Sequence, residues 1–183
     1  MAQNPIVDQE HFTEFMTVYA QICLAWQLVE QNIYFILCSL VKSAAPTPVV
    51  SAVYHSIINF NTRLDAVDAS MKMAFRGNAK LQEWEELLGN IFNCSKHRNK
   101  VAHSTIKVHH NRGEHTFRLA PSAFDVREEH DVDYTLGQMR GWKREIFDLA
   151  QRISEFGVSI DAGGTLIFHR DIYFPNQQPI VGQ

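Results

Sequence analysis

Arg98 and His103 combine two side chains suited to phosphate chemistry at a separation of five residues. They belong to the run His97-Arg98-Asn99-Lys100-Val101-Ala102-His103-Ser104. Arginine is always charged and holds phosphate oxygens with a planar fork of donors. Histidine titrates near neutrality and can act as an acid or as a base. The two residues therefore form the candidate site of this chain.

The residues around this run concentrate positive charge. No aspartate or glutamate occurs between Leu87 and Gly113, whereas the same window contains Lys96, Arg98, Lys100, Lys107, Arg112, His97, His103, His109 and His110. The whole chain has a net charge of −3, which argues against a protein that coats nucleic acid over its entire surface. The sequence therefore predicts a local anion-binding site.

Apolar residues that recur at steps of three and four predict four long helices. Their stripes run from Phe12 to Leu40, from Val50 to Phe75, from Leu81 to Ile91 with Ser95, Arg98 and Ala102 on the same heading, and from Met139 to Phe156. Local signals suggest the helix ends: Thr47 as N-cap before Pro48, Gly77 as C-cap, Asn78 as the next N-cap, a capping box of Thr135 with Gln138, and Gly157 as the last C-cap.

Between the third and fourth helices the pattern changes to that of a short β-hairpin. Two β-prone stretches within residues 105–119 flank a turn at Asn111-Arg112-Gly113, and an acidic loop from Pro121 to Asp133 follows. The predicted fold is all-α: an up-and-down bundle of about four long helices with this hairpin inserted. We expect one domain over residues 1–183, with a core at about 8–157 and an extended tail at 158–183.

The helical spacing places Arg98 on the side that faces the bundle. Trp84, Ile91 and Ala102 lie within about 40° of it, while His103 lies about 140° away, so the two residues should flank a cleft without touching. A guanidinium near the core is costly unless it is paired or lines a wet groove. One alternative is therefore structural: Arg98 pairs with a buried carboxylate, and His103 merely ends a helix.

The run Arg98-Asn99-Lys100-Val101-Ala102-His103-Ser104 resembles the R-x(4–6)-H signature of HEPN domains (higher eukaryotes and prokaryotes nucleotide-binding). The resemblance covers the helical bundle, about residues 8–157, but not the hairpin or the tail. Many such domains are metal-independent endoribonucleases, often toxins of toxin–antitoxin or phage-defence systems, and they generally act as dimers with facing motifs. The resemblance implies that Arg98 and His103 are the catalytic pair and that Asn99 is the polar motif residue.

The chemistry implied by the resemblance suits these residues. Metal-free RNA cleavage uses the 2′-OH as nucleophile and needs proton transfer together with fixed positive charge on the phosphorane oxygens. One histidine per protomer falls short of two proton-transfer groups, and a homodimer with both motifs at one cleft would supply the second. The remaining cations of the window, Lys96, Lys100, Lys107 and Arg112, are expected to bind the RNA backbone.

Two other classes of function stay open from the sequence. One is a catalytically inactive HEPN module that binds RNA, a nucleotide or a partner protein such as an antitoxin, and the other is a plain helical scaffold. His109, His110 and His115 flank a predicted turn without a nearby acidic residue, so we expect no metal site. No cofactor motif is present, and the nine-residue apolar run Ile33 to Val41 is too short to cross a membrane. We expect a cytoplasmic protein without a cofactor or membrane contact.

Overall fold

The computed structural model describes residues 9–41, 45–111, 114–121 and 133–160. It is mainly helical with one small antiparallel sheet, as the sequence predicts. The elements in chain order are α1 (Gln9–Val41), α2 (Thr47–Ser56), α3 (Phe60–Ala74), α4 (Ala79–His103), β1 (Ser104–Asn111), β2 (Glu114–Pro121) and α5 (Leu136–Ile160). The described residues therefore form five helices, not four.

The additional helix arises because the second predicted helix is broken at Asn59. The Asn59 side chain accepts hydrogen bonds from the backbone N–H groups of Asn61 and Thr62, at 2.8 and 3.4 Å. This N-cap starts α3 in a new direction, since an N-cap residue has extended backbone angles. Arg63 donates from Nε to the carbonyl of Ile57 at 2.5 Å, which satisfies a carbonyl at the break. The helical spacing of apolar residues continues across the break, so the sequence pattern alone predicts one helix there.

The helices α1 and α5 run in the same direction along each other. Near their starts, Arg140 of α5 pairs with Glu14 of α1. Further along both helices, the Asn32 side chain donates from Nδ2 to the backbone carbonyl of Ala150 at 2.8 Å. Both helices bury apolar side chains in the common core. The longest of the described helices is thus packed against the last of them.

The helix α4 runs antiparallel to α5. The Lys80 ammonium donates to the Ser159 hydroxyl at 2.8 Å, and at the other end His97 Nε2 lies 3.1 Å from Glu145 Oε2. All three tryptophans are buried in the core, as their positions on the predicted stripes indicate: Trp26, Trp84 and Trp142. The end of α4 that carries the candidate residues is therefore placed beside the first half of α5.

The β-hairpin is confirmed, with strands slightly longer than predicted. Its antiparallel register pairs Ser104 with Pro121 and Asn111 with Glu114, while the turn residues 112–113 lie outside the described part of the chain. The ring of Phe117 lies 5.0 Å from that of Phe12, so the hairpin packs onto the start of α1. Most of the predicted acidic loop (122–132) and the tail from 161 also lie outside the described residues.

Several predicted helix ends are confirmed and three are wrong. Gly77, predicted as a C-cap, lies two residues beyond Phe75, which is the C-cap of α3. Asn78 caps α4 by accepting from the N–H of Lys80, and Thr135 and Gln138 exchange the hydrogen bonds of a capping box. Thr47, in contrast, is the first residue of α2, and the cap position is Pro46 without a side-chain bond. The helix α5 continues past Gly157, which is buried within it, to Ile160. Dense packing of this last turn outweighs the low helix propensity of glycine.

By length and apolar composition alone, α1 would be able to cross a membrane. The apolar run from Ile33 to Val41, which is too short to cross a membrane by itself, is only part of this helix. However, ten of its residues are buried in the fold, among them Phe15, Ile22 and Ile33. A central core helix meets the same criterion, so the lack of membrane contact stays a prediction.

Candidate functional site

The second half of α4 presents a different face to the core from the one predicted. Its buried side chains are those of Cys94 and Val101, while Ala102 is exposed and Ser95 and Arg98 are half-buried. Burial is the main cause that raises the pKa of the Cys94 thiol to about 11. The prediction that Ser95, Arg98 and Ala102 continue the bundle-facing stripe is therefore wrong.

His97 takes the position that faces the bundle in this part of α4. Its ring stacks on that of Trp142, with a centroid distance of 5.1 Å and an interplanar angle of 13°. Burial lowers the pKa of His97, Glu145 opposes that shift, and the charges of Lys100 and Lys96 add to the lowering. The stacked imidazole next to Glu145 is a structural element of the α4–α5 contact.

Arg98 is half-buried and makes a short local contact. Its Nη1 donates to Asn99 Oδ1 at 3.1 Å. Within the described part of the chain no carboxylate lies within ion-pair distance of this guanidinium. Its charge acts on Cys23 of α1, where burial raises the thiol pKa and Arg98 lowers it. Among the described residues, then, Arg98 lacks the buried carboxylate that a purely structural role would need, and its charge is open to an external anion.

His103 is the last residue of α4, and its side chain is exposed. Among the described contacts, none joins His103 to Arg98, as the angle of about 140° between them predicts. Asn99 lies one turn before His103 on the same side. The three residues therefore lie within the last two turns of α4.

Two lysines of α4 extend this positive surface. Lys96 contacts only the Asn93 amide, at 3.3 Å, among the described residues. The Lys100 ammonium lies over the rings of Tyr134 and Trp142, 5.1 and 5.4 Å from their centroids. Cation–π contacts of this kind hold the ammonium in place without neutralising it. Both lysines thus remain available as charges next to Arg98.

The charges on β1 are partly neutralised by Asp133. This residue lies 3.8 Å from Lys107 Nζ and 2.6 Å from His109 Nε2. These last two atoms are close, but the geometry at His109 Nε2 is not that of a hydrogen bond. Although residues 88–112 contain no aspartate or glutamate, the fold therefore brings carboxylates from other parts of the chain close to them. Arg112 lies outside the described residues.

No family model, no curated protein and no solved structure matches this chain. Within residues 9–41, 45–111, 114–121 and 133–160, there is also no group of three or more metal-ligating side chains. What can be said of function therefore rests on the residues of the helix end and their surroundings.

Proposed function

We propose that this protein is a HEPN-like endoribonuclease that cleaves RNA by attack of the 2′-OH without a metal ion. Arg98 would hold the phosphate and the developing charge, His103 would transfer the proton, and Asn99 would orient the guanidinium. Lys96, Lys100, Lys107 and Arg112 would bind flanking phosphates. In the cell, such an activity fits a cytoplasmic toxin or phage-defence protein, with an antitoxin as partner.

One observation carries this proposal: the guanidinium of Arg98 contacts Asn99 and no described carboxylate. A structural arginine in a half-buried position is normally paired, because an unpaired charge is costly there. Asn99 contacts only Nη1 of this guanidinium, and no described residue bonds to its other nitrogens. Two oxygens of a phosphate group would fit these planar donors.

The same end of α4 offers a surface for a second copy. Phe92 remains 41% exposed. Phe92 shares a helix face with Ser95 and Asn99. A symmetric dimer through this face would cover Phe92 and bring two motifs together. It would also provide two histidines for the two proton transfers.

The test is a cleavage assay on single-stranded RNA in the presence of EDTA. We expect cleavage that persists in EDTA and leaves 2′,3′-cyclic phosphate ends, and that disappears in Arg98→Ala. Activity that is lost in EDTA and restored by a divalent ion would refute the metal-free mechanism. RNA binding without cleavage would instead identify a catalytically inactive binding module.

A further inference from the structure

A second positively charged region lies in a groove between the first halves of α1 and α5. The groove has a volume of about 1300 Å³, which is larger than a site for one small molecule needs. It is lined by two groups of residues: Gln9, Glu10, Thr13, Glu14, Thr17, Val18 and Gln21 from α1, and Gly137, Arg140, Lys143 and Arg144 from α5. Its two walls differ in chemistry.

The α5 wall is cationic. Arg140 pairs with Glu14 across the groove, whereas Lys143 and Arg144 form no ion pair or hydrogen bond with any described residue. Partial burial lowers the pKa of Lys143, and the neighbouring charges of Arg140 and Arg144 act in the same direction. Three cations thus crowd one wall, and a bound anion would relieve their mutual repulsion.

The α1 wall carries the carboxylates of Glu10 and Glu14 together with a row of neutral polar side chains. Gln9, Thr13, Thr17 and Gln21 recur every four residues, so they follow each other along one side of the helix. The hydroxyls of Thr13 and Thr17 donate to the carbonyls of Gln9 and Thr13, each at 2.7 Å, which leaves their oxygens as acceptors. This wall suits N–H and O–H donors better than phosphate.

The groove and the candidate cleavage site lie on different sides of α5. Trp142 of α5 contacts His97 and Lys100 of α4. Lys143 and Arg144 lie about 100° and 160° around the helix from Trp142, away from α4. The groove is therefore a separate site and not an extension of the surface around Arg98.

We propose that this groove binds a single strand of RNA, with the phosphates on the α5 wall and the base and ribose donors on the α1 wall. Each nucleotide carries an anionic phosphate on one side and hydrogen-bond donors on the other, which corresponds to the two walls. A membrane of anionic lipid would use the cations only, and it has no ordered donors for the α1 wall. The observations therefore favour the nucleic acid.

The experiment measures binding of a fluorescent single-stranded uridine oligonucleotide at several salt concentrations. It compares Lys143→Gln/Arg144→Gln with Arg76→Gln/Arg152→Gln, which removes two exposed arginines outside the groove. All proteins carry His103→Ala, so that cleavage does not consume the probe. We expect the groove variant to bind on the order of tenfold more weakly, with a salt slope smaller by about 1.4, since each phosphate contact on a single strand contributes about 0.7.

Two further readouts separate this site from a general charge effect. Lys143→Arg should bind like its parent, and the oligonucleotide should protect Lys143 from an amine-reactive reagent, as detected by mass spectrometry. Equal affinity of the groove and control variants would overturn the proposal, as would binding to phosphatidylserine vesicles without binding to RNA. If the wild-type chain does not cleave RNA but the groove variant still loses binding, the groove stands and the proposed ribonuclease function falls.

Discussion

At the scale of single residues, His103 and Arg98 differ in what they contribute to the proposed reaction. His103 is exposed at the end of α4, so His103→Ala should leave the fold intact. We expect RNA turnover to fall by about 10²–10⁴ with little change in affinity, because only proton transfer is lost. Kinetic assays with His55→Ala, an exposed histidine on α2, as a matched control measure this effect. Full cleavage by His103→Ala would exclude the assignment.

Arg98 should affect both binding and catalysis. A fixed charge holds the phosphate before and during the reaction, so Arg98→Ala is expected to lose affinity and turnover together. Arg98→Lys should restore binding more than cleavage, because an ammonium keeps the charge but not the planar fork. Titration of RNA binding alongside single-turnover rates separates the two. If Arg98→Ala only lowers the melting temperature and the wild type is inactive, the structural role is correct.

His97 should make the stability of the fold depend on pH. Burial lowers its pKa in the folded state below the usual 6.5, with Glu145 opposing and Lys96 and Lys100 assisting. The unfolded chain therefore binds the proton first, so this contribution is fully present above about pH 6.5 and is lost as the pH falls through the folded-state pKa. His97→Phe keeps the ring on Trp142 and removes the titration.

Urea unfolding of both proteins between pH 5 and 8 checks this prediction. The free energy of unfolding of the wild type should decline more steeply below about pH 6.5 than that of His97→Phe. Parallel declines would show that His97 titrates alike in the folded and unfolded chains.

The sequence points to the residues of the candidate site but not to the residues that contact its surroundings. Arg98, Asn99 and His103 are recognisable because their types and spacing are local properties. Glu145 and Asp133, which contact His97 and the β1 cations, are distant in sequence and stand in unremarkable surroundings. Such contacts depend on how helices and strands pack, and a single sequence does not show that.

At the scale of elements, the connection between α3 and α4 depends on one glycine. Gly77 has a φ of +74°, and a Cβ there would meet no atom within 4 Å. Gly77→Ala should therefore cost about 1–2 kcal/mol through the backbone alone. Gly89, inside α4, is equally unobstructed, and Gly89→Ala should stabilise by about 0.5–1 kcal/mol. Urea denaturation of both variants measures the two effects, and a shift of the same sign in both would contradict this account.

Helix periodicity and capping signals predicted the elements well, but two physical effects escaped them. The apolar period runs unbroken through Asn59, whose side-chain bonds nevertheless start a new helix. In α4, the buried face shifts from Trp84 and Ile91 towards Cys94 and Val101. The first half of α4 also contacts α3, where Trp84 donates to Asp68, whereas α5 lies along both halves of α4. Which elements surround each part of a helix is a tertiary property that periodicity does not show.

At the scale of the whole molecule, the proposed active form is a symmetric dimer. Phe92 is 41% exposed beside the motif, so covering the rest of this ring is worth roughly 1 kcal/mol in each copy. Phe92→Glu should therefore weaken dimerisation by at least about tenfold and reduce cleavage at low protein concentration. Ile58→Glu changes a side chain that is 93% exposed, away from this surface, and serves as the control.

Sedimentation analysis of the two variants and the wild type at micromolar concentration measures how strongly each of them dimerises. A wild-type monomer that still cleaves RNA would exclude a composite site, because each copy would then have to complete the reaction alone.

The pairing of α1 with α5 has a consequence during protein synthesis. The partner of Asn32 on α5 lies 118 residues later, so the apolar face of α1 leaves the ribosome long before its cover exists. At about 5–20 residues per second, that interval lasts roughly 6–24 s. During this time the nascent chain displays a helix that is apolar enough to resemble a membrane span. Chaperones and targeting factors that recognise such segments would therefore encounter this chain before it has folded.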